Sequence, residues 1–255
     1  MSMKISVITV CYNSAGTIGD TLRSVREQTY KNIEHIIIDG GSKDNTLEIV
    51  AALGPHVATL VSERDSGIFD AMNKGLALAT GKIIGFLNSD DVFANKDVVS
   101  KIAQTMADQS IDACYGDLIY VAQDDVNKVV RYWKSREYKN GLFQRGWVPA
   151  HPTFYARRKL YQDYGYFDID LRLAADFDIL LRFFEAHRIS SAYIPDILVK
   201  MRLGGASNAS FSNVLQQNRE IAMAFRKYGF NVGMKPFIFK LLLRFLQFIR
   251  KPESP

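Results

Sequence analysis

Four short, almost wholly apolar runs constrain this chain more than anything else in it. Ile5 to Val10 reads ISVITV, Ile33 to Asp39 IEHIIID, Thr59 to Ser62 TLVS and Ile83 to Leu87 IIGFL. A strand with one wet face alternates apolar and polar residues, whereas a run apolar at every position must be covered on both faces, as in a parallel sheet between helices. Helical patterns fill the intervals. Ile18, Leu22 and Val25 recur at helical spacing within Thr17 to Gln28, Asn45 to Leu53 is a short helix, and Phe69 to Ala79 is a third. Strand alternating with helix at this interval gives βαβ units. The 255 residues, 47% hydrophobic and 12% aromatic, supply enough apolar surface for one large core and exclude a disordered chain.

The later sequence is less regular. Ala113 to Val121, Val129 to Trp133 and Thr153 to Ala156 read as strands, and Asp176 to Ala186 as a helix with Ile179, Leu180, Phe183 and Phe184 inward. Phe211 to Phe225 is an amphipathic helix whose stripe includes Val214, Leu215, Ile221 and Phe225. The fold class is α/β, with a Rossmann-like mixed central sheet flanked by helices. We expect one folded domain over 1–230, in two halves of about 1–95 and about 96–230, then a basic tail over 231–255. Charge marks the same division. From Arg226 onward there are seven bases and one acid, leaving 25 bases against 26 acids in the body. A nucleic-acid binder carries its bases over a folded face, so a nucleic-acid partner is not expected. The two cysteines, Cys11 and Cys114, are far apart and have no metal-ligand spacing, and no signal-like segment precedes the first strand; both features suit a reducing cytoplasm.

Ligands of open α/β sheets bind beyond the carboxyl ends of the strands. Those positions hold Cys11-Tyr12-Asn13, Asp39-Gly40-Gly41-Ser42 and Asn88-Ser89-Asp90-Asp91. Adjacent carboxylates repel unless a cation lies beside them, and a hard divalent ion with oxygen ligands serves while keeping positions open for phosphate. A helix-capping acidic turn is the plain alternative; the coincidence with Asp39 favours the cation. The chain has no G-x-G-x-x-G after the first strand, no phosphate loop ending in G-K-[ST], no Cys/His zinc cluster and no G-x-S-x-G elbow.

The series Thr9-Val10-Cys11-Tyr12-Asn13, Asp39 to Asp44 (DGGSKD), Glu63 to Gly75 (ERDSGIFDAMNKG) and Phe86 to Asp91 (FLNSDD) resembles the family 2 glycosyltransferases in order and spacing. Ala174 to Arg182 (AADFDILLR) is similar to the segment that carries that family's catalytic base, and Met201 to Ser207 (MRLGGAS) to a glycine-containing motif of its polysaccharide-building members. The resemblance implies a GT-A fold and inverting, metal-dependent transfer of a sugar from a nucleotide-sugar to a saccharide or lipid-linked acceptor in surface polysaccharide biosynthesis. Carried over position by position, it implies Asp39 at the nucleotide base, Asp90 at the ribose or donor sugar, Asp91 as ligand to Mg²⁺ or Mn²⁺, and Asp176 as general base. Thr9, Tyr12, Asn13, Asp65 and Lys74 fall to the donor pocket, and Arg202 to the leaving diphosphate. Many members have Glu-Asp where this chain has Ala175-Asp176, so one acid beside the base is missing. Asp178 is the rival base or an acceptor-side acid, although two residues apart at a helix start the two acids cannot face the same way.

His151 and Trp147 are candidates for the acceptor or phosphate side, each with a structural role as its alternative. Lys128 to Trp147 holds six bases among aromatics and reads as an acceptor subsite or a solvated loop. Two other classes compete with the transferase: a nucleotidyltransferase, for which Asn13 to Gly19 lacks the basic loop, and a catalytically weak sugar-nucleotide binding module. The tail sequence KPFIFKLLLRFLQFIRK over 235–251 stacks Lys240, Arg244, Gln247 and Lys251 on one helical stripe with apolar residues around the rest. Such a helix fits an anionic membrane surface, on the inner face of the cell membrane, or a second subunit.

Overall fold

The computed structural model describes residues 2–204 and 211–233, together with Pro236. The chain opens as the apolar runs dictate: β1 (Ile5–Cys11), α1 (Ile18–Arg26), β2 (Ile33–Asp39), α2 (Thr46–Leu53), β3 (Val57–Ser62), α3 (Ile68–Leu78) and β4 (Ile83–Phe86). These four strands pair in parallel in the order β3-β2-β1-β4. Every residue of β1 and β4 is buried, whereas edge strand β3 alternates between half-buried and exposed residues. Helix α3 lies on one face with Phe69, Met72 and Leu76 against Ile8, Ile36 and Phe86. A Cβ on Gly75 would stand 2.4 Å from Ile8 Cγ2, so this close helix–strand approach needs glycine.

Beyond β4 come β5 (Val92–Phe93), α4 (Val98–Thr105), β6 (Ala113–Val121), β7 (Val129–Trp133), β8 (Tyr155–Arg157), α5 (Arg158–Tyr164), α6 (Ala175–Leu181), β9 (Ser191–Arg202) and α7 (Phe211–Lys227). They extend the same sheet as β4-β8-β6-β9-β5, with β7 alongside β6. β8 is antiparallel to β4, and β9 is parallel to β6. One mixed sheet therefore joins the two halves. Helices α6 and α7 pack on the α3 face through Ile179, Ile221 and Phe225, while α1 and α4 cover the other through Val25, Val98 and Ile102.

Several sequence expectations change in detail. The strand expected over 153–156 begins at Tyr155, after a 3₁₀ turn at His151–Thr153. The helix expected over 176–186 ends as a π turn at Arg182–Ala186. Leu215 lies outside the buried stripe of α7, at 45% exposure. Strand β9 has no counterpart in the sequence reading, because Pro195 and Asp196 interrupt its apolar pattern. They sit where the β6–β9 register jumps from Tyr115↔Tyr193 to Asp117↔Ile197, a bulge that tolerates a residue without an N–H. The expected tail helix over 235–251 lies outside the described residues, apart from Pro236. No described helix is long and apolar enough to cross a membrane.

Candidate active site

After β2 the chain turns to β3 on one side of β1, and the next crossover brings β4 to the other side. The carboxyl ends of β1 and β4 therefore flank the switch point where doubly wound sheets open a crevice. Ser14 Oγ and Ser89 Oγ meet across it at 2.8 Å. The loop after β1 is tied to the loop after β2: Asn13 N donates to Ser42 Oγ at 2.8 Å, and Lys43 N donates to Asn13 Oδ1 at 2.8 Å. Asn13 holds a left-handed backbone, φ 49°, a conformation that asparagine tolerates.

At the end of β2, Asp39 is fully buried and surrounded by donors. Its Oδ2 accepts from Gly41 N at 3.1 Å, Ser42 N at 3.0 Å and Ser62 Oγ at 2.7 Å; Oδ1 accepts from Ser42 Oγ and faces Cys11 Sγ at 3.7 Å. Burial alone would raise its pKa, but the hydrogen bonds from Ser42, Ser62 and Gly41 outweigh it and hold the carboxyl below its usual value. The same carboxylate and burial push the Cys11 thiol up to about 12. Both oxygens that the resemblance assigns to a nucleobase thus serve the loop itself. Asp65 stands beside it, half-buried, with Oδ1 taking Gly67 N at 2.9 Å. A Cβ on Gly40 would meet Asp65 Oδ2 at 2.4 Å and the Tyr12 ring at 3.5 Å. Gly40 therefore lets an aromatic ring, 59% exposed, and a carboxylate gather at one strand end.

The end of β4 is the opposite case. Asp91 is completely buried, yet among the described residues its side chain has few donors: Asn88 Nδ2 donates to Oδ2 at 3.3 Å, and the Arg202 backbone lies beside the carboxyl. Asp91 Oδ1 and Asn88 Oδ1 are both buried with no hydrogen-bond partner among the described residues. Burial, then the neighbouring Asp90 charge, pushes the Asp91 carboxyl well above its ordinary value, and burial raises half-buried Asp90. The backbone is held rigidly around them. Thr21 Oγ1 donates to Asp91 O at 2.7 Å, and Arg202 Nη1 to Asp90 O at 2.7 Å.

Arg202 is 6% exposed, and its other nitrogens donate to Gln123 O at 3.2 Å and to Asp20 on α1. It is a clamp behind the acidic loop, not a free fork for phosphate. Asp20, its partner 182 positions earlier, gave no signal in the sequence. Gly205 to Ser207 of that motif lie outside the described residues.

On the other wall, α6 carries the two candidate bases. Asp176 is half-buried; its Oδ1 accepts Phe177 N at 2.8 Å. Asp178 is wholly buried, in an ion pair with Arg182 at 2.8 Å and within reach of Tyr228 at 3.2 Å and Lys227 at 3.4 Å. The two acids face apart, and Asp178 is enclosed by protein cations. His151 is 8% exposed, stacked on Phe86 and edge-on to Phe167, with Nε2 buried and without a hydrogen-bond partner among the described residues. Burial lowers its pKa while the Asp176 charge opposes, which sets the two residues in the same neighbourhood.

Three candidates are engaged by the protein itself, Thr9 and Trp147 in its interior and Lys74 at a partly exposed position. Thr9 is fully buried within β1, its Oγ1 3.0 Å from His35 Nε2, so it is a sheet contact. Lys74 is bound to Glu63 at 2.8 Å and to Arg64 O at 2.8 Å, fastening α3 to the loop that carries Asp65. Trp147 is 5% exposed among Tyr115, Tyr138 and Phe143, with its faces covered and not offered as a stacking platform.

An exposed aromatic and an acid beside the end of β2, with an under-partnered carboxylate beyond β4, occupy the place where open α/β sheets bind ligands. The glycosyl transferase family 2 model matches residues 6–165, and the chain belongs to that family: it is a glycosyltransferase. It is 34% identical over 183 residues, 70% of this chain and 68% of the relative, to an uncharacterized glycosyltransferase of Mycobacterium tuberculosis. It is 30% identical over 208 residues, 80% of this chain and 78% of the relative, to a PGL/p-HBAD biosynthesis glycosyltransferase of Mycobacterium bovis. The fold is GT-A. Staphylococcus aureus TarS, residues 1–349 in complex with UDP-GlcNAc, superposes with a TM-score of 0.68 at 20% identity, over 96% of this chain and 73% of that one. The chain spans 44% of the longer TarS chain. Mannosyltransferase PcManGT from Pyrobaculum calidifontis, in complex with GDP-Man and Mn²⁺, gives 0.65 at 21% identity, over 95% and 68%.

Proposed function

We propose that this glycosyltransferase is inverting and metal-dependent, moving a sugar from a nucleoside diphosphate donor to a saccharide or lipid-linked acceptor in the building of a surface polysaccharide. The observation that carries the reading is the pair of buried, unpartnered oxygens Asp91 Oδ1 and Asn88 Oδ1 at the end of β4. An unpaired buried acceptor is costly, and a hard cation is the partner that satisfies two oxygens at once. Among the described residues no group of three or more acidic, His or Cys side chains could cage an ion, so the remaining ligands would come from diphosphate and water. Bound there, Mg²⁺ or Mn²⁺ would neutralise charge on the departing diphosphate. The fold relatives solved with UDP-GlcNAc and with GDP-Man and Mn²⁺ support this donor class.

In this reading Tyr12 and Asp65 border the nucleotide, and Asp90 faces the ribose or donor sugar. Asp176, with Oδ2 free of the bond that Oδ1 makes, takes the acceptor hydroxyl's proton as the new C–O bond forms. The bond to phosphate breaks, and the diphosphate leaves with its electron pair. His151 and its aromatic neighbours dry the region between α6 and β4. The enzyme works at the cytoplasmic face of the cell membrane, where the basic 235–251 segment meets anionic lipid.

The test is product analysis on a panel of nucleotide-sugars with Mn²⁺, with and without acceptor. Release of nucleoside diphosphate is expected. Pyrophosphate release would identify a nucleotidyltransferase, binding without turnover would identify a binding module, and full transfer in excess EDTA would overturn the metal.

A further inference from the structure

The segment from Lys128 to Arg145 contains Lys128, Arg131, Lys134, Arg136, Lys139 and Arg145 against the single acid Glu137, a net charge of +5. The structure divides these six cations sharply. Arg131 is buried, its guanidinium 3.6 Å above the Tyr120 ring. The other five are exposed, and none is in an ion pair with a described residue.

This is not a loose, solvated stretch. Ser135 N donates to buried Asp117 at 2.7 Å, Tyr115 OH to Arg136 O at 2.9 Å and Tyr138 OH to Phe184 O at 3.1 Å. Glu185 accepts Gly141 N at 3.0 Å and Phe143 N at 3.3 Å. The backbone is therefore pinned from below, with Lys134, Lys139 and Arg145 exposed and the Arg136 guanidinium 5.9 Å from the Trp147 ring centroid. Held in place with no ion pair among the described residues, like charges repel one another, and a polyanionic partner relieves that repulsion.

The position of this segment beside the base is what gives the charge a use. Phe143 packs on Phe177 at 5.9 Å, and Phe177, next to Asp176, packs on Phe225 of α7 at 5.2 Å. Helix α6 thus lies between the cationic segment and α7. The outer side of α7 exposes Leu215, Arg219, Met223 and Arg226 at helical spacing, a mixed basic and apolar stripe. Directly after it comes the basic, apolar 235–251 sequence.

We infer that Lys134, Arg136, Lys139 and Arg145 form an anionic-lipid binding surface that seats the enzyme on phosphate headgroups with the base helix facing the membrane-borne acceptor. Lipid is favoured over a soluble polyanion because α7, on the other side of α6, exposes Leu215 and Met223 among Arg219 and Arg226, the mixture of apolar and basic side chains that enters a headgroup layer. The orientation toward an acceptor rests on the proposed transfer; the binding does not.

The experiment is cosedimentation of the full chain with phosphatidylglycerol vesicles and with phosphatidylcholine vesicles. It compares wild type, a loop variant (Lys134→Ala, Arg136→Ala, Lys139→Ala, Arg145→Ala) and a tail variant (Lys240→Ala, Arg244→Ala, Arg250→Ala, Lys251→Ala). The loop variant should bind phosphatidylglycerol about tenfold or more weakly, with a shallower salt dependence. The tail variant should keep binding that loop neutralisation then removes. Donor-induced thermal stabilisation by a nucleotide-sugar with Mn²⁺ shows whether the loop variant is folded; if it is not, the milder pair Lys134→Gln and Lys139→Gln replaces it. Wild-type affinity in the loop variant would overturn the inference, as would binding of RNA or inorganic polyphosphate without binding of vesicles. A chain that sits on vesicles through this loop but transfers no sugar would refute the activity and leave the surface standing.

Discussion

The loops that follow β2 and β4 begin alike and end as opposites. Each presents an aspartate buried from solvent, Asp39 as the last residue of β2 and Asp91 five residues beyond β4. Asp39 is ringed by amide and hydroxyl donors, and its carboxyl is held down; Asp91 has only Asn88 and the Arg202 backbone beside it among the described residues, with one oxygen unpartnered, and its carboxyl is driven up. Both are closed to solvent, although Asp91 lies deeper in the protein. What differs besides depth is whether the protein supplies the partners for the ionised form. Where it does, the carboxylate builds a loop; where it does not, the charge is left for something that arrives from outside.

Breaking the under-partnered side should have the largest effect. Asp91→Asn should abolish transfer and remove the metal dependence of nucleoside diphosphate binding, with the apo fold intact, since the amide drops an ill-solvated charge. Calorimetric titration with and without Mn²⁺ would show this, and metal-dependent binding in the variant would sink the assignment. Next, Asp176→Asn should lower turnover by about 10²–10⁴-fold, the contribution of a positioned general base, with donor affinity little changed. Asp178→Asn should act on stability, because it leaves buried Arg182 short of its ion-pair partner. A turnover loss in folded Asp178→Asn exceeding that of Asp176→Asn would reverse the two roles.

The satisfied side should show a moderate effect of another kind. Asp39→Asn should cost about 2–3 kcal/mol, since hydrogen bonds to a charged group are lost and one amide hydrogen faces donors. A lower urea midpoint at unchanged slope is the expected reading; an unchanged midpoint would remove the distinction between the loops.

The smallest effect is a difference in sign with pH. Asp39 has a folded pKa below its unfolded value, so its stabilisation is present above about pH 4 and is lost as pH falls through the folded pKa. Asp91 and Asp90 have raised folded pKa values, so the apo fold holds extra protons above about pH 4 and loses stability as pH rises through that window. Melting curves of wild type and Asp91→Asn from pH 4 to pH 8 should therefore converge toward acid and separate toward neutral, and Mn²⁺ should close the gap for wild type. Parallel curves would refute it.

The sequence by itself determined the parallel half of the sheet, because runs such as ISVITV admit only strands covered on both faces. It also determined which acids end those strands, and with them the family. It did not determine what each acid does. The donors that quiet Asp39 come from Ser42 nearby and Ser62, 23 positions on, while the backbone that fixes Asp91 is held by Thr21 and Arg202, from opposite ends of the chain. Arg202 looked like a phosphate ligand until Asp20 and the Asp90 carbonyl claimed it, and β9 stayed hidden because its bulge residues break the apolar alternation. Apolar periodicity is a local property that one stretch of chain carries whole. The state of a buried charge depends on which distant groups the fold brings within about 3 Å, and that distance exists only after the tertiary structure has formed.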